Sequence, residues 1–124
     1  MKNLNDLTYQ IIGCAYKVHR TLGPGLLEST YEHCLSEELT LIGLKFERQL
    51  GLPVVYNNRI LEAGYRVDLV VEDSVIIELK SVDQIAPIHK AQLLTYMKLS
   101  GKGLGLLINF NVANLQDGIT RMIL

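Results

Sequence analysis

The stretch Gly64-Tyr-Arg-Val-Asp-Leu-Val-Val-Glu-Asp-Ser-Val-Ile-Ile-Glu-Leu-Lys80 decides the fold of this 124-residue chain. It predicts two apolar β-strands joined by a polar turn at residues 72–74. Three charged residues interrupt these strands: Asp68 in the first, and Glu78 and Lys80 in the second. Strands rich in valine, isoleucine and leucine usually enter a core, where an ionised side chain is costly unless it is paired or bound to a metal. The three charges therefore indicate a candidate functional site.

The length of the turn decides which residues of the two strands face each other. A three-residue turn pairs Val71 with Val75, and it therefore sets Asp68 opposite Glu78. A two-residue turn would set Asp68 opposite Leu79 instead. Only the three-residue turn collects the apolar side chains of both strands on one face, so we predict that register.

Two carboxylates placed opposite each other on neighbouring strands have Cβ atoms about 5 Å apart and destabilise the pairing. A divalent cation between them removes this conflict, and Mg²⁺ typically binds one or two carboxylates together with a substrate phosphate. The alternative is a solvated hairpin at the edge of the sheet, whose charges are ordinary surface charges.

The rest of the chain predicts helices on either side of a strand-rich centre. Apolar residues recur at helical spacing before the Gly23-Pro24-Gly25 break and again after it, and Pro87 and Gly101 are typical of a helix start and stop. The predicted elements are helices over residues 4–20, 27–42 and 87–99, and strands over 46–50, 52–56, 59–71, 75–80, 104–110 and 119–124. This order predicts an α/β sandwich with a mixed sheet, in which the buried strand at 104–110 is reached by a crossover.

The composition is that of an ordinary globular protein, with 48% apolar and 20% charged residues. The length suits one domain, residues 1–124, with its own core. A net charge of −1 counts mildly against nucleic-acid binding, because a free-standing binder usually carries a basic face.

The compartment is predicted from the cysteines and from the hydropathy. Cys14 and Cys34 lie on helical apolar stripes without metal-ligand spacing, as small buried residues do in a reducing compartment. Residues 1–10 lack the apolar core of a signal peptide, and no apolar run approaches the roughly 20 residues that span a bilayer. We therefore predict a cytoplasmic protein without a membrane partner.

The central hairpin resembles the PD-(D/E)XK nuclease superfamily, whose α-β-β-β-α-β core carries an acid on its second strand and (D/E)-x-K on its third. Asp68 and Glu78-Leu-Lys80 stand at those positions, and Gly25-Leu-Leu-Glu28-Ser-Thr-Tyr31 resembles the GxxExxY signature of one small bacterial and archaeal family. Gln92-Leu-Leu-Thr-Tyr96 resembles the Gln-x-x-x-Tyr helix element of RecB-like nucleases. The likeness runs nearly from end to end and implies a restriction-endonuclease-like fold.

This resemblance implies a divalent-metal-dependent nuclease acting on nucleic acid, with DNA as the expected substrate. Glu28, Asp68, Glu78 and the backbone carbonyl of Leu79 would hold Mg²⁺ or Mn²⁺, and Lys80 would orient the nucleophilic water. For Glu28 there is an alternative, because a carboxylate in the first turn of a helix is favoured by the helix dipole alone.

Five further residues are expected to support the site. Gln92 and Tyr96 resemble residues that orient the catalytic lysine or contact a phosphate, and His89 shares their helical stripe at i, i+3, i+7 spacing. Tyr31 lies three residues after the helical acid and either packs or forms a hydrogen bond beside the site. Arg66, on the charged face of the hairpin, contacts a phosphate or balances the acids.

Two rival functions stay open at this point. One is a catalytically silent module of the same fold that binds nucleic acid or a protein partner. The other is a purely structural domain, which requires the charged face of the hairpin to be open to solvent. The resemblance also leaves a homodimer open, because many nucleases of this superfamily dimerise.

Overall fold

The computed structural model describes residues 3–124, so Met1 and Lys2 of the predicted domain lie outside the described residues. The elements are α1 (Leu4–Leu22), α2 (Glu28–Leu41), β1 (Phe46–Tyr56), β2 (Arg59–Val71), β3 (Val75–Lys80), α3 (Pro87–Ser100), β4 (Leu104–Asn109), a 3₁₀ turn (Leu115–Gly118) and β5 (Ile119–Ile123). This order confirms the predicted α/β fold. The two short strands predicted at 46–50 and 52–56 form the single strand β1.

The five strands form one mixed sheet in the order β1-β2-β3-β4-β5. The pairs β1–β2, β2–β3 and β4–β5 are antiparallel, whereas β3 and β4 are parallel. A parallel pair needs a crossover connection, and α3 supplies it. The predicted crossover is therefore confirmed, and β3 lies at the centre of the sheet.

Both faces of the centre of the sheet are buried, each by different helices, whereas most residues of β1 and β5 are not buried. Residues of α1 and α2 such as Ile11 and Leu35 pack with Ile77 on one face. On the other face Leu93 and Met97 of α3 pack with residues such as Ile76. The five residues 75–79 of β3 are consequently all buried. The expectation that the hairpin has only one apolar face is wrong, because α3 covers the second face.

Gly105 in β4 allows α3 to approach the sheet closely. A Cβ atom at this position would lie 2.8 Å from the Met97 sulfur and 3.0 Å from Cδ1 of Leu93. Any larger residue would therefore require the Met97 and Leu93 side chains to move.

The β2–β3 hairpin has the predicted three-residue turn. Val71 pairs with Val75 and Leu69 with Ile77, and Glu72 and Asp73 adopt left-handed φ angles of 50° and 52°. The ladder ends there: among the described residues it does not continue to the pair Asp68–Glu78 or to the pair Arg66–Lys80.

The strands β1 and β2 change face near the point where the β2–β3 ladder ends. Leu69 packs on the α1/α2 side, but Val67 packs on the α3 side, although residues two apart in a regular strand share a face. In β1, Phe46 packs on the α1/α2 side and Leu50 on the α3 side. Val67 and Leu69 therefore do not share a face as the predicted alternation requires, and in the neighbouring strand Gln49 has a left-handed φ of 52°.

The remaining sequence predictions concern helix ends, cysteines and membranes. The side chain of Asn3 accepts hydrogen bonds from the backbone of Asn5 and Asp6, and Gly101 ends α3 with φ of 72°. Cys14 is buried, Cys34 is half-buried, and both are free thiols. No helix within residues 3–124 is long and apolar enough to cross a membrane.

Candidate active site

Asp68 and Glu78 lie together where the β2–β3 ladder ends. The Asp68 Oδ2 atom accepts a hydrogen bond of 2.8 Å from the backbone N–H of Leu79. Glu78 is only 5% exposed, and its carboxyl group contacts that of Asp68. The predicted pair is thus formed by side chains rather than by the backbone ladder. The burial of Glu78 also argues against a solvated edge hairpin and against a purely structural domain with an open charged face.

Burial is the main cause of a raised pKa at Glu78. Together with the hydrogen bond to Asp68 and the negative charge of Asp68, it raises the pKa of Glu78 from 4.5 to about 9, although the charge of Lys80 acts in the opposite direction. At neutral pH the Glu78 carboxyl is consequently protonated and donates to the Asp68 carboxylate.

The backbone of Leu79 faces the same place. Its N–H points towards β2, whereas the carbonyl of Lys80 points towards β4 and accepts from the N–H of Phe110 at 2.9 Å. Because the N–H and C=O of one strand residue point to the same side, the Leu79 carbonyl also points towards β2. The Leu79 carbonyl oxygen therefore lies on the β2 side of β3, near Asp68, where the β2–β3 ladder has ended.

Lys80 is the last residue of β3 and is half-buried. It pairs in register with Asn109, whose side chain fixes the segment that follows the lysine. Asn109 Oδ1 accepts from the Val82 N–H at 3.1 Å, and Nδ2 donates to the Val82 carbonyl at 2.9 Å. Asn109, 2% exposed, was not singled out in the sequence, although its amide in the apolar run 104–110 is a usable signal.

Tyr96 and Gln92 approach the carboxyl pair from α3. Tyr96 is 5% exposed, and its pKa is raised by burial and by the negative charges of Glu78 and Asp68. The side chain of Gln92 forms a hydrogen bond with the phenol, which partly offsets that effect. The structure thus brings both members of the Gln-x-x-x-Tyr element to one side of the site.

His89 has a different place from its two neighbours on the stripe. Its Nδ1 atom accepts a 3.0 Å hydrogen bond from the backbone N–H of Ala86 and so caps the N-terminus of α3. This capping explains His89 structurally, because Ala86 has no side chain that could cap the helix itself.

Glu28 begins α2 and is exposed. It lines a surface cavity of about 360 Å³ together with Ser81, the residue after Lys80. Across residues 3–124, no three His, Cys, Asp or Glu side chains lie close enough together to hold a metal ion. The structure therefore brings Asp68 and Glu78 together without Glu28.

Tyr31 fastens the loop before α2 to the core. Its ring is fully buried and stacks on Phe110, with ring centroids 4.3 Å apart. Its hydroxyl donates to the Gly23 carbonyl at 2.6 Å and accepts from the Leu26 N–H at 3.2 Å. Both expected modes, packing and hydrogen bonding, are present, and they hold the loop that leads into α2, where Glu28 is the first residue.

Glu32 and Gln49 are linked to the site and were missed in the sequence. Glu32 is 6% exposed and accepts from Gln49 Nε2 at 2.7 Å, and the same nitrogen lies 3.3 Å from Asp68 Oδ1. Glu32 stands at i, i+3, i+7 spacing with the buried residues Leu35 and Leu39, and this is the signal that could have found it. For Gln49 the sequence carries no such signal.

Arg66 is exposed, and its Nη1 atom donates to the backbone carbonyl of Gln49 at 3.3 Å. It therefore contacts β1 beside the site, and the β2–β3 ladder, which ends at Leu69, does not pair it with Lys80.

A mixed sheet whose central hairpin carries an acid and an acid-x-lysine triplet, flanked by helices on both faces, defines a restriction-endonuclease-like nuclease fold. The family model of the PD-(D/E)XK nuclease superfamily matches residues 5–122, and the chain belongs to this superfamily. Nucleases of this superfamily generally use divalent metals and act on nucleic acid. Comparisons with curated proteins and with solved structures gave no match.

Proposed function

We propose that this chain is a divalent-metal-dependent nuclease of the GxxExxY family that hydrolyses phosphodiester bonds, with DNA as its substrate. The observation that carries the proposal is the buried contact between Asp68 and Glu78 at the end of the ladder. Two ionised carboxylates in contact would destabilise the fold. When two like charges share a site, one of the groups commonly binds a proton and stays neutral. A cation can replace that proton.

The residues present fit a hard divalent cation. Asp68, Glu78 and the Leu79 carbonyl supply oxygen atoms of the kind that Mg²⁺ and Mn²⁺ prefer. Glu28 stays the predicted third carboxylate, from its position on the cavity beside Ser81. When bound, the metal supplies Lewis-acid polarisation of the scissile phosphate and a lower pKa of water.

The protein's own groups would position the reactants around these acids. The Lys80 ammonium, at the end of β3, would orient the attacking water and stabilise the negative charge that develops on the phosphate. Tyr96 and Gln92 would hold the lysine or a phosphate oxygen from the α3 side, and Arg66 would contact the nucleic-acid backbone.

Three broader predictions belong to this proposal. The range 1–124 would act as one nuclease domain. A second copy of the chain would extend the small surface available for DNA. The protein would work in the cytoplasm, in keeping with its two free thiols.

We expect the purified protein to hydrolyse single- or double-stranded DNA in the presence of Mn²⁺ and to stop when EDTA removes the metal. The control is Asp68→Asn, which keeps the size of the side chain and removes its charge. Tight DNA binding without hydrolysis in Mg²⁺ or Mn²⁺ would contradict the proposal and support the silent binding module.

A further inference from the structure

We propose that Glu32 and Gln49 are positioning residues that hold the Asp68 carboxylate in the orientation needed for metal binding. This inference rests on the proposed function, because it concerns how one of the proposed ligands is held. Neither residue is part of the motif that defines the superfamily. The carboxamide group of Gln49 links Glu32 to Asp68, which does belong to that motif.

The Gln49 amide bridges two carboxylates. Its Nε2 atom lies 2.7 Å from Glu32 Oε1 and 3.3 Å from Asp68 Oδ1, so each of its two hydrogens serves one acid. The other Asp68 oxygen accepts the Leu79 N–H at 2.8 Å. Both oxygens of Asp68 are therefore held, which fixes the plane of the carboxylate.

Glu32 acts through Gln49 and not as a free ligand. Its Oε2 atom accepts from the Arg48 guanidinium at 2.9 Å and 3.2 Å, while Oε1 accepts from Gln49. Both oxygens of this buried carboxylate thus face protein N–H donors. A buried carboxylate engaged in this way is an anchor that holds the Gln49 amide in place.

The left-handed backbone conformation of Gln49 indicates that its side chain is needed at this position. Gln49 lies inside β1 with φ of 52°, a left-handed conformation that residues with a Cβ rarely adopt and that costs free energy. Glycine would adopt the same conformation without that cost. A glutamine is nevertheless present, and its carboxamide is the group that reaches both Glu32 and Asp68.

The experiment measures Mn²⁺ affinity of the full chain by electron paramagnetic resonance, together with the melting temperature. Gln49→Gly removes the amide and relieves the backbone, so we expect Mn²⁺ binding to weaken 10- to 100-fold, and the melting temperature shows whether the variant stays folded after Glu32 loses this donor. Asn58→Gly is the matched control, because Asn58 has a similar φ of 60° in the β1–β2 turn, and its affinity should equal that of the wild type.

A double-mutant cycle separates the role of Glu32 from direct metal ligation. Glu32→Gln should weaken Mn²⁺ binding in the wild type but add little in the Gln49→Gly background, because its effect passes through the amide. Fully additive effects of the two substitutions on Mn²⁺ affinity would overturn the proposal that Glu32 acts through Gln49.

The positioning role of Gln49 and the proposed metal site at Asp68 are contradicted by different results. If the wild type binds Mn²⁺ in a manner that depends on Asp68 but Gln49→Gly binds equally well, the positioning role is wrong and the proposed function stands. If Mn²⁺ binding is absent or insensitive to Asp68→Asn, both are overturned.

Discussion

Glu78→Gln is expected to abolish metal-dependent cleavage and, at the same time, to make the metal-free protein more stable at pH 8. Glutamine removes a proposed metal ligand, yet it keeps a donor that can face Asp68 as the protonated acid does. It also removes the cost of ionising a buried carboxyl. We expect the free energy of unfolding at pH 8 to rise by roughly a few kcal/mol, because the folded wild type keeps a proton on Glu78 that the unfolded chain has lost at this pH.

The sign follows from the direction of the pKa shift. Folding raises the pKa of Glu78 from 4.5 to about 9, so the folded state favours the protonated acid. The contribution of Glu78 to stability is therefore fully present below about pH 4.5 and is lost as the pH rises towards 9. In EDTA the wild type should lose stability over this window, and Glu78→Gln should lack that loss.

Denaturant unfolding at pH 5, 7 and 9 measures both effects. Glu37→Gln on α2 is the matched control, because it makes the same chemical change at an exposed position and should follow the wild type. A Glu78→Gln protein that is less stable than the wild type at pH 8 would contradict the protonated state assigned to the pair.

Lys80→Ala is expected to lower the rate of DNA hydrolysis by about 10²–10⁴-fold while Mn²⁺ affinity changes little. The reason is that Lys80 is assigned to the water and the phosphate, whereas the acids are assigned to the metal. Lys98→Ala, an exposed lysine on α3, should keep wild-type activity. The measurement is the single-turnover cleavage rate at saturating Mn²⁺.

Undiminished cleavage by Lys80→Ala would remove the role given to this residue. A parallel loss of Mn²⁺ affinity would show instead that the lysine shapes the metal site, for example by compensating the charge of the acids.

Local patterns were enough to predict most of the fold. Turn length gave the pairing of Val71 with Val75, and Pro87 and Gly101 gave the limits of α3 within one residue. These features depend on residues close in the chain, where turn and capping chemistry act directly. The acid-x-lysine triplet on an apolar strand indicated the candidate site for a similar reason, since charge is unexpected there.

The features that could not be predicted from the sequence depend on contacts between residues far apart in the chain. The change of face at Asp68 accompanies a left-handed glutamine in the neighbouring strand, and glutamine has no preference that would reveal it. Glu32 and Gln49 meet only after a helix packs against the sheet. Glu28 was favoured because of its motif, whereas the acid of α2 that Gln49 connects to Asp68 is the buried Glu32, one helical turn further on.

The central claim is that a divalent cation bound beside Asp68 replaces the proton on Glu78. Calorimetric titration of the protein with Mn²⁺ at pH 7.5, in buffers of different ionisation enthalpy, counts the protons released on binding. Because the pKa of Glu78 is about 9, the account predicts release of about one proton per bound metal, and much less in Glu78→Gln. Binding of Mn²⁺ by the wild type without proton release would contradict the claim.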